Sequence, residues 1–207
     1  MTKRLKSKFH TCKKLNKSYS NIWGLPKGDF LRSVRNEKKK KTSVYGKLLG
    51  AKQSLKCFYC NMQEQAFKRI FKKSIKSSLT TLDRFISFLE SRLDVILFRS
   101  CLISSLHQAR QMINHGVVLV NGKRVRNAGT KLCKLDIIEL KKELIIKNIQ
   151  TNETLEVVKS NFNSRFFPSH LEIDYKSSII IFLWEPNYEN VYYSVKADYE
   201  IIKRFYR

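Results

Sequence analysis

Between residues 46 and 76, apolar side chains recur every three or four positions: Leu48, Leu55, Phe58, Tyr59, Met62, Ala66, Ile70 and Phe71. That spacing lines one face of a helix and predicts helix across the stretch. Leu82, Phe85, Ile86 and Leu89 repeat the pattern and predict a second helix over 82–90. Ser91 followed by Asp94 has the form of a capping box and starts a helix running through Arg99. Ser105 with Gln108 three positions on has the same form. Ala109, Met112 and Ile113 supply the buried face of that helix, and Gly116 stands where a helix C-cap belongs.

The period then changes. Val117–Val120 reads as a short strand, Asn121-Gly122 as a tight turn, and Lys123–Arg126 as the way out of it. Asp136–Leu140 reads as a further strand, so 92–150 is expected to form a compact α+β unit. Ile179–Trp184, bounded by Pro186, is a buried-strand candidate. Asp198 is a plausible N-cap for a terminal amphipathic helix carrying Tyr199, Ile201, Ile202, Phe205 and Tyr206. The predicted organisation is a basic irregular segment over 1–45, a helical domain over 46–91, the α+β unit over 92–150, and a C-terminal segment over 151–207 packing back on the helical domain.

Charge changes the picture most. The chain has 41 Lys and Arg against 17 Asp and Glu, a net charge of +24 over 207 residues. Residues 1–80 carry 22 of the bases and three acids, while 161–207 carry six of each. So basic a surface calls for a polyanionic partner. A membrane is the weaker candidate, because the amphipathic helix of the basic region has a core to pack on. The longest apolar run, Ile179–Trp184, is six residues, far short of the roughly 18 a membrane helix needs. Met1–Asn21 is basic, contains Ser and lacks acids, as an organellar transit peptide would. Numbering from Met1 makes a cleaved one unexpected, and no apolar stretch follows to form a secretory signal.

The five cysteines, Cys12, Cys57, Cys60, Cys101 and Cys133, form no disulfide framework. Cys57 and Cys60 have the spacing of half a zinc site, with only His10 and Cys12 to complete it. In a helical segment they read better as small apolar residues, so no metal and no cofactor are expected.

Two short helices on a small sheet present a convex basic face, with Arg99 and Arg110 from different helices and Arg92, Lys123 and Arg124 from element ends. Asn121-Gly122 lets backbone approach a ligand closely. Such a face suits folded or double-stranded RNA, which is read by shape and backbone. The residues expected to touch RNA are Lys3, Arg4, Lys38, Lys39, Lys40, Lys41, Lys47, Lys52, Gln53, Lys56, Lys68 and Arg69 in the N-terminal half. Arg92, Arg99, Ser105, Gln108, Arg110, Gln111, Asn114, His115, Asn121, Gly122, Lys123 and Arg124 are their counterparts in the α+β unit.

Arg92-Leu93-Asp94-x-x-Leu97-x-Arg99, then Ser105-x-x-x-Ala109-Arg110-Gln111-x-Ile113-x-His115-Gly116-x-Val118-x-Val120-Asn121-Gly122, resembles the RNA-binding module named after ribosomal protein S-four of the small subunit. Ser43-x-Tyr45-Gly46-x-x-Leu49-x-x-Lys52-Gln53-x-Leu55-Lys56-x-x-Tyr59 and Gln65-x-Phe67-x-Arg69 resemble that protein's N-terminal helical domain. Pro168-x-His170-Leu171-Glu172-Ile173-Asp174 and the stretch from Ile201-Ile202 to Phe205-Tyr206 resemble its later segments. Leu106 departs from a frequent Arg, Lys134-Leu135 from a usual Pro-Gly, and only Cys12 stands where zinc-bearing members have four cysteines.

The resemblance implies a non-enzymatic structural protein of the small ribosomal subunit. Such a protein binds a helical junction in the 5′ domain of the rRNA, contacts neighbouring ribosomal proteins and lines the mRNA entrance. Pseudouridine synthases share the module and use an Arg-Leu-Asp motif, but theirs lies downstream in a large sheet domain. Free RNA-binding stress factors carry the module without the helical domain. The abundance of Lys, Ile, Asn, Phe and Tyr points to AT-rich coding and an organelle-encoded mitochondrial protein, then a plastid or bacterial one.

Overall fold

A computed structural model describes residues 43–76, 80–141, 167–193 and 199–206. Among them are six α-helices and one five-stranded antiparallel sheet, an α+β fold. The chain divides into two compact units, one of residues 1–68 with 193–207 and one of 69–192. Lys3, Arg4 and Lys38–Lys41 lie outside the described residues, as does the Asp198 cap.

In the first unit, helix α1 (Val44–Phe58) starts at Ser43, whose hydroxyl accepts from the Gly46 N–H. The predicted single helix over 46–76 is in fact two. After Tyr59 the backbone passes through the left-handed region at Cys60 (φ 60°) and Asn61 (φ 50°), and α2 (Glu64–Ile75) begins afresh. The apolar period runs through the break because Tyr59, Cys60 and Met62 are buried in the turn itself. Burial, not helix, kept the spacing. The turn brings Glu64 back over α1, where Lys52 Nζ (3.1 Å) and Lys56 Nζ (2.7 Å) both bond its carboxylate. The terminal helix α6 (Tyr199–Tyr206) packs on α1. Lys52 Nζ lies 3.8 Å from the centre of the Phe205 ring, and the Tyr206 hydroxyl donates to Glu64 at 2.6 Å.

The second unit holds α3 (Thr81–Glu90), α4 (Leu93–Arg99), α5 (Leu106–Asn114) and strands β1 (Val118–Val120), β2 (Lys123–Arg124), β3 (Asp136–Leu140), β4 (Leu171–Asp174) and β5 (Ile179–Phe182). The strand order is β2-β1-β3-β5-β4. One sheet face sends Val118, Ile138, Leu140, Ile180 and Phe182 against Leu93, Ile96 and Leu97 of α4 and Ala109 and Ile113 of α5. Strands β4 and β5 therefore complete this sheet, so the sequence segment 151–207 is shared between the two units. The reason is the alternation of Ile180 and Phe182, which fills the core only when β5 lies beside β3.

Asn121 (φ 50°) and Gly122 (φ 74°) both adopt the left-handed conformation that a two-residue hairpin requires. The turn before β3 also forms with Lys134-Leu135. Leu135 sits at φ 66°, and the Asp136 carboxylate accepts from the Cys133 N–H at 2.7 Å. A leucine there carries left-handed strain of about 1–2 kcal/mol. Glycine relieves it but loses more entropy on folding. Leu135→Gly is thus expected to gain about 1 kcal/mol, read as a raised urea midpoint at unchanged slope; a lowered midpoint would contradict the strain.

Candidate nucleic-acid interface

The centre of the basic module is a buried acid. Asp94, 0% exposed on α4, accepts from Arg92 Nε (3.0 Å) and Nη2 (2.8 Å) and from Arg110 Nε (2.8 Å). One carboxylate thus fixes two guanidiniums from different elements and leaves a net positive charge. Three charge-assisted bonds hold their planes in place, which lowers the entropy lost when they meet a ligand. Arg110 keeps about a quarter of its side chain in solvent, Arg92 less.

The capping box expected at Ser91 does not form. The N-cap of α4 is Arg92, without a side-chain bond, and the Ser91 hydroxyl donates back to the Ser87 carbonyl. The first N–H groups of α4 are instead met by the following loop: Leu93 donates to the Thr130 carbonyl and Asp94 to that of Ala128. That arrangement releases the Asp94 carboxylate for the arginines. At α5 the local expectation is closer. Ser105 caps through the Gln108 N–H, but the Gln108 side chain reaches Ser104, one residue before the expected partner.

Gln111, Asn114 and His115 are exposed along α5, and Gly122, Lys123 and Arg124 are exposed in the hairpin. The Arg124 stem lies against Gly116 (φ 72°), where an added Cβ would stand 2.8 Å from Arg124 Cδ. Gly116 therefore joins the end of α5 to the hairpin and brings these residues onto one surface. Asn121 is tied by its side chain to Asp136 and the Ile137 N–H, both at 2.9 Å, so it shapes the turn. Leu106, in place of an arginine, is buried.

Three expected contacts are corrected. Arg99 is buried and points inward: Nε and Nη2 each bond the fully buried Glu90 at 3.0 Å, and Nη1 bonds the Tyr192 carbonyl at 2.7 Å. All seven residues of α4 are buried, which leaves no outer face for it to occupy. Lys52 and Lys56 are likewise held on Glu64, whose carboxyl is brought to about 2 by bonds from Lys56, Tyr206 and Lys52 that outweigh its burial. Lys47, Gln53, Lys68 and Arg69 are exposed. Lys72, Lys73 and Lys76 were not among the expected contacts, yet they are exposed and continue the Lys68–Arg69 ridge at the four-residue spacing of α2. That spacing was visible in the sequence. Arg126 is also exposed.

A basic helical domain followed by a small α+β module with an anchored arginine pair defines a structural RNA-binding protein, not an enzyme scaffold around a cleft. Residues 91–138 match the model of the S4 domain, and 6–90 match the model of the ribosomal protein S4/S9 N-terminal domain. The chain is 33% identical to the small ribosomal subunit protein uS4 of Rhodospirillum rubrum over 211 residues, covering 100% of this chain and 99% of that protein. It is 34% identical to the uS4 proteins of Caulobacter vibrioides and Rhizobium meliloti over 213 residues, again covering 100% of this chain and 99% of each relative. The chain belongs to the uS4 family of small ribosomal subunit proteins.

Proposed function

We propose that this chain is a structural constituent of the small ribosomal subunit that binds its rRNA at a helical junction of the 5′ domain. The observation that carries the reading is the Arg92–Asp94–Arg110 cluster set beside the exposed end of α5 and the hairpin. Fixed guanidiniums and flexible lysines neutralise phosphates that would otherwise hold RNA helices apart, and counterion release drives association. The contacts proposed are Arg92, Arg110, Gln111, Asn114, His115, Gly122, Lys123 and Arg124 in the module, with Lys47, Gln53 and the α2 ridge from Lys68 to Lys76. Lys3, Arg4 and Lys38–Lys41 add charge to the same task. Ser105 and Gln108 act by starting α5.

No catalytic step belongs to this reading. Asp94, the acid of the Arg-Leu-Asp motif, is sealed from solvent and bonded to two arginines. The position along the mRNA entrance beside other ribosomal proteins follows from family membership. The AT-rich residue usage supports a mitochondrial ribosome encoded in the organelle.

The test is sedimentation of native ribosomes at moderate salt, with binding of the purified chain to 5′-domain rRNA. The chain is expected in the small-subunit peak, and log K is expected to fall against log salt with a slope of about −7 to −9 for about ten phosphates. A chain that stays at the top of the gradient and prefers 5′-domain rRNA no more than tRNA would refute the reading.

A further inference from the structure

The sheet has a second face, turned away from α4 and α5. Across β3, β5 and β4 it carries Ile137, Ile181 and Glu172 in one row. A second row runs Leu119, Glu139, Ile179 and Asp174. Ile137 is 41% exposed, and Leu135 at the rim is 70% exposed. Glu172 and Asp174 are exposed as well. Asp174 holds the β4–β5 turn through the Lys176 N–H and the Ser177 hydroxyl. Among the described residues Glu139 and Glu172 make no ion pair.

Three carboxylates around exposed isoleucines are out of character for a chain of charge +24. Phosphates would be repelled there and would gain nothing from the apolar centre. A protein would gain from both, since apolar centres with polar rims are how protein interfaces are built. Any protein sharing one rRNA with this chain must itself be cationic. We propose that the outer sheet face docks a cationic neighbouring ribosomal protein, with Ile137 and Ile181 at the centre and Glu139 and Glu172 pairing its Lys or Arg side chains. The inference rests on the proposed function. It assigns the two sides of the module to different partners, RNA on the helix-and-hairpin side and protein on the sheet side.

The experiment places photoreactive benzoylphenylalanine at position 137 of the full chain, assembles it into small subunits, irradiates them and identifies the product by mass spectrometry. The expected product is a cross-link to a second ribosomal protein at a Lys- or Arg-rich peptide. E139K/E172K is expected to cut its yield about tenfold by placing like charges opposite each other, with affinity for 5′-domain rRNA changed less than about twofold. A cross-link to rRNA, to a second copy, or to residues 1–42 or 142–166 of this chain would overturn the proposal. So would the absence of any product, or a yield that E139K/E172K leaves unchanged. Co-sedimentation with the subunit is scored in the same gradients: if it persists, only the docking surface has failed, and if it is lost in the unsubstituted chain, the functional reading falls too.

Discussion

Arg99→Ala is expected to lower the unfolding free energy by about 3–5 kcal/mol. The substitution strips both guanidinium bonds from Glu90, a carboxylate with no solvent to turn to, and frees the Tyr192 carbonyl. A loss of that size is a large part of the roughly 5–15 kcal/mol that holds a typical domain together. Urea unfolding near pH 7 measures it. Replacing both partners by apolar residues, as in E90L/R99M, should recover most of the loss, because the cost lies in the orphaned charge and not in the missing pair. An Arg99→Ala chain that keeps its stability and loses rRNA affinity would instead make Arg99 a phosphate contact. Arg110→Gln is the opposite case: its expected effect is weaker rRNA binding with a shallower salt slope, because Arg110 reaches solvent and Arg92 still holds Asp94.

The second large effect is on pH dependence. His170 is fully buried, neither ring nitrogen has a hydrogen-bond partner among the described residues, and the ring stands edge-on to Phe182. Burial lowers its pKa from 6.5 to about 4. The nearby Arg99 charge pushes the same way and Glu90 opposes. The folded chain therefore keeps His170 neutral at pH values where the unfolded chain is already protonated. The stability tied to the neutral ring is complete above about pH 6.5 and is lost as pH falls through about 4, a change of about 3 kcal/mol. Unfolding by urea at stepped pH reads this directly. His170→Leu should flatten the curve between pH 6.5 and 4 and leave stability at pH 7 equal or higher, since an unsatisfied buried polar group is removed. A wild-type curve already flat in that window would show the ring to be solvated. His170 lies in the field of the Glu90–Arg99 pair, so this substitution and Arg99→Ala should not be additive.

These two positions show where reading the chain stops being enough. Ser105, Asn121-Gly122 and Asp136–Leu140 could be placed from sequence because each is decided by a few consecutive residues: a hydroxyl reaching the next turn, two left-handed positions, a strict alternation. The RNA face was legible in the same way, as bases gathered where acids are rare. Arg99 looked the same as Arg110 in that reading, since both are basic residues on short helices. Its partner Glu90 is nine positions away across a helix junction, a spacing that no local rule pairs. Lys52 and Lys56 were misread for a similar reason: Glu64 reaches them only because the chain turns back at Cys60 and Asn61.

By itself, the sequence determined the α+β class, the module and its family, and the need for a polyanionic partner, because propensity, periodicity and total charge are properties of nearby residues or of simple counts. Only the tertiary structure decided which cations face outward and which are spent on buried Glu90, Asp94 and Glu64. It also decided that β4 and β5 close the module's sheet, leaving an acidic, isoleucine-lined face. Electrostatic pairing and burial depend on distance in space, and folding brings together groups that the chain holds far apart.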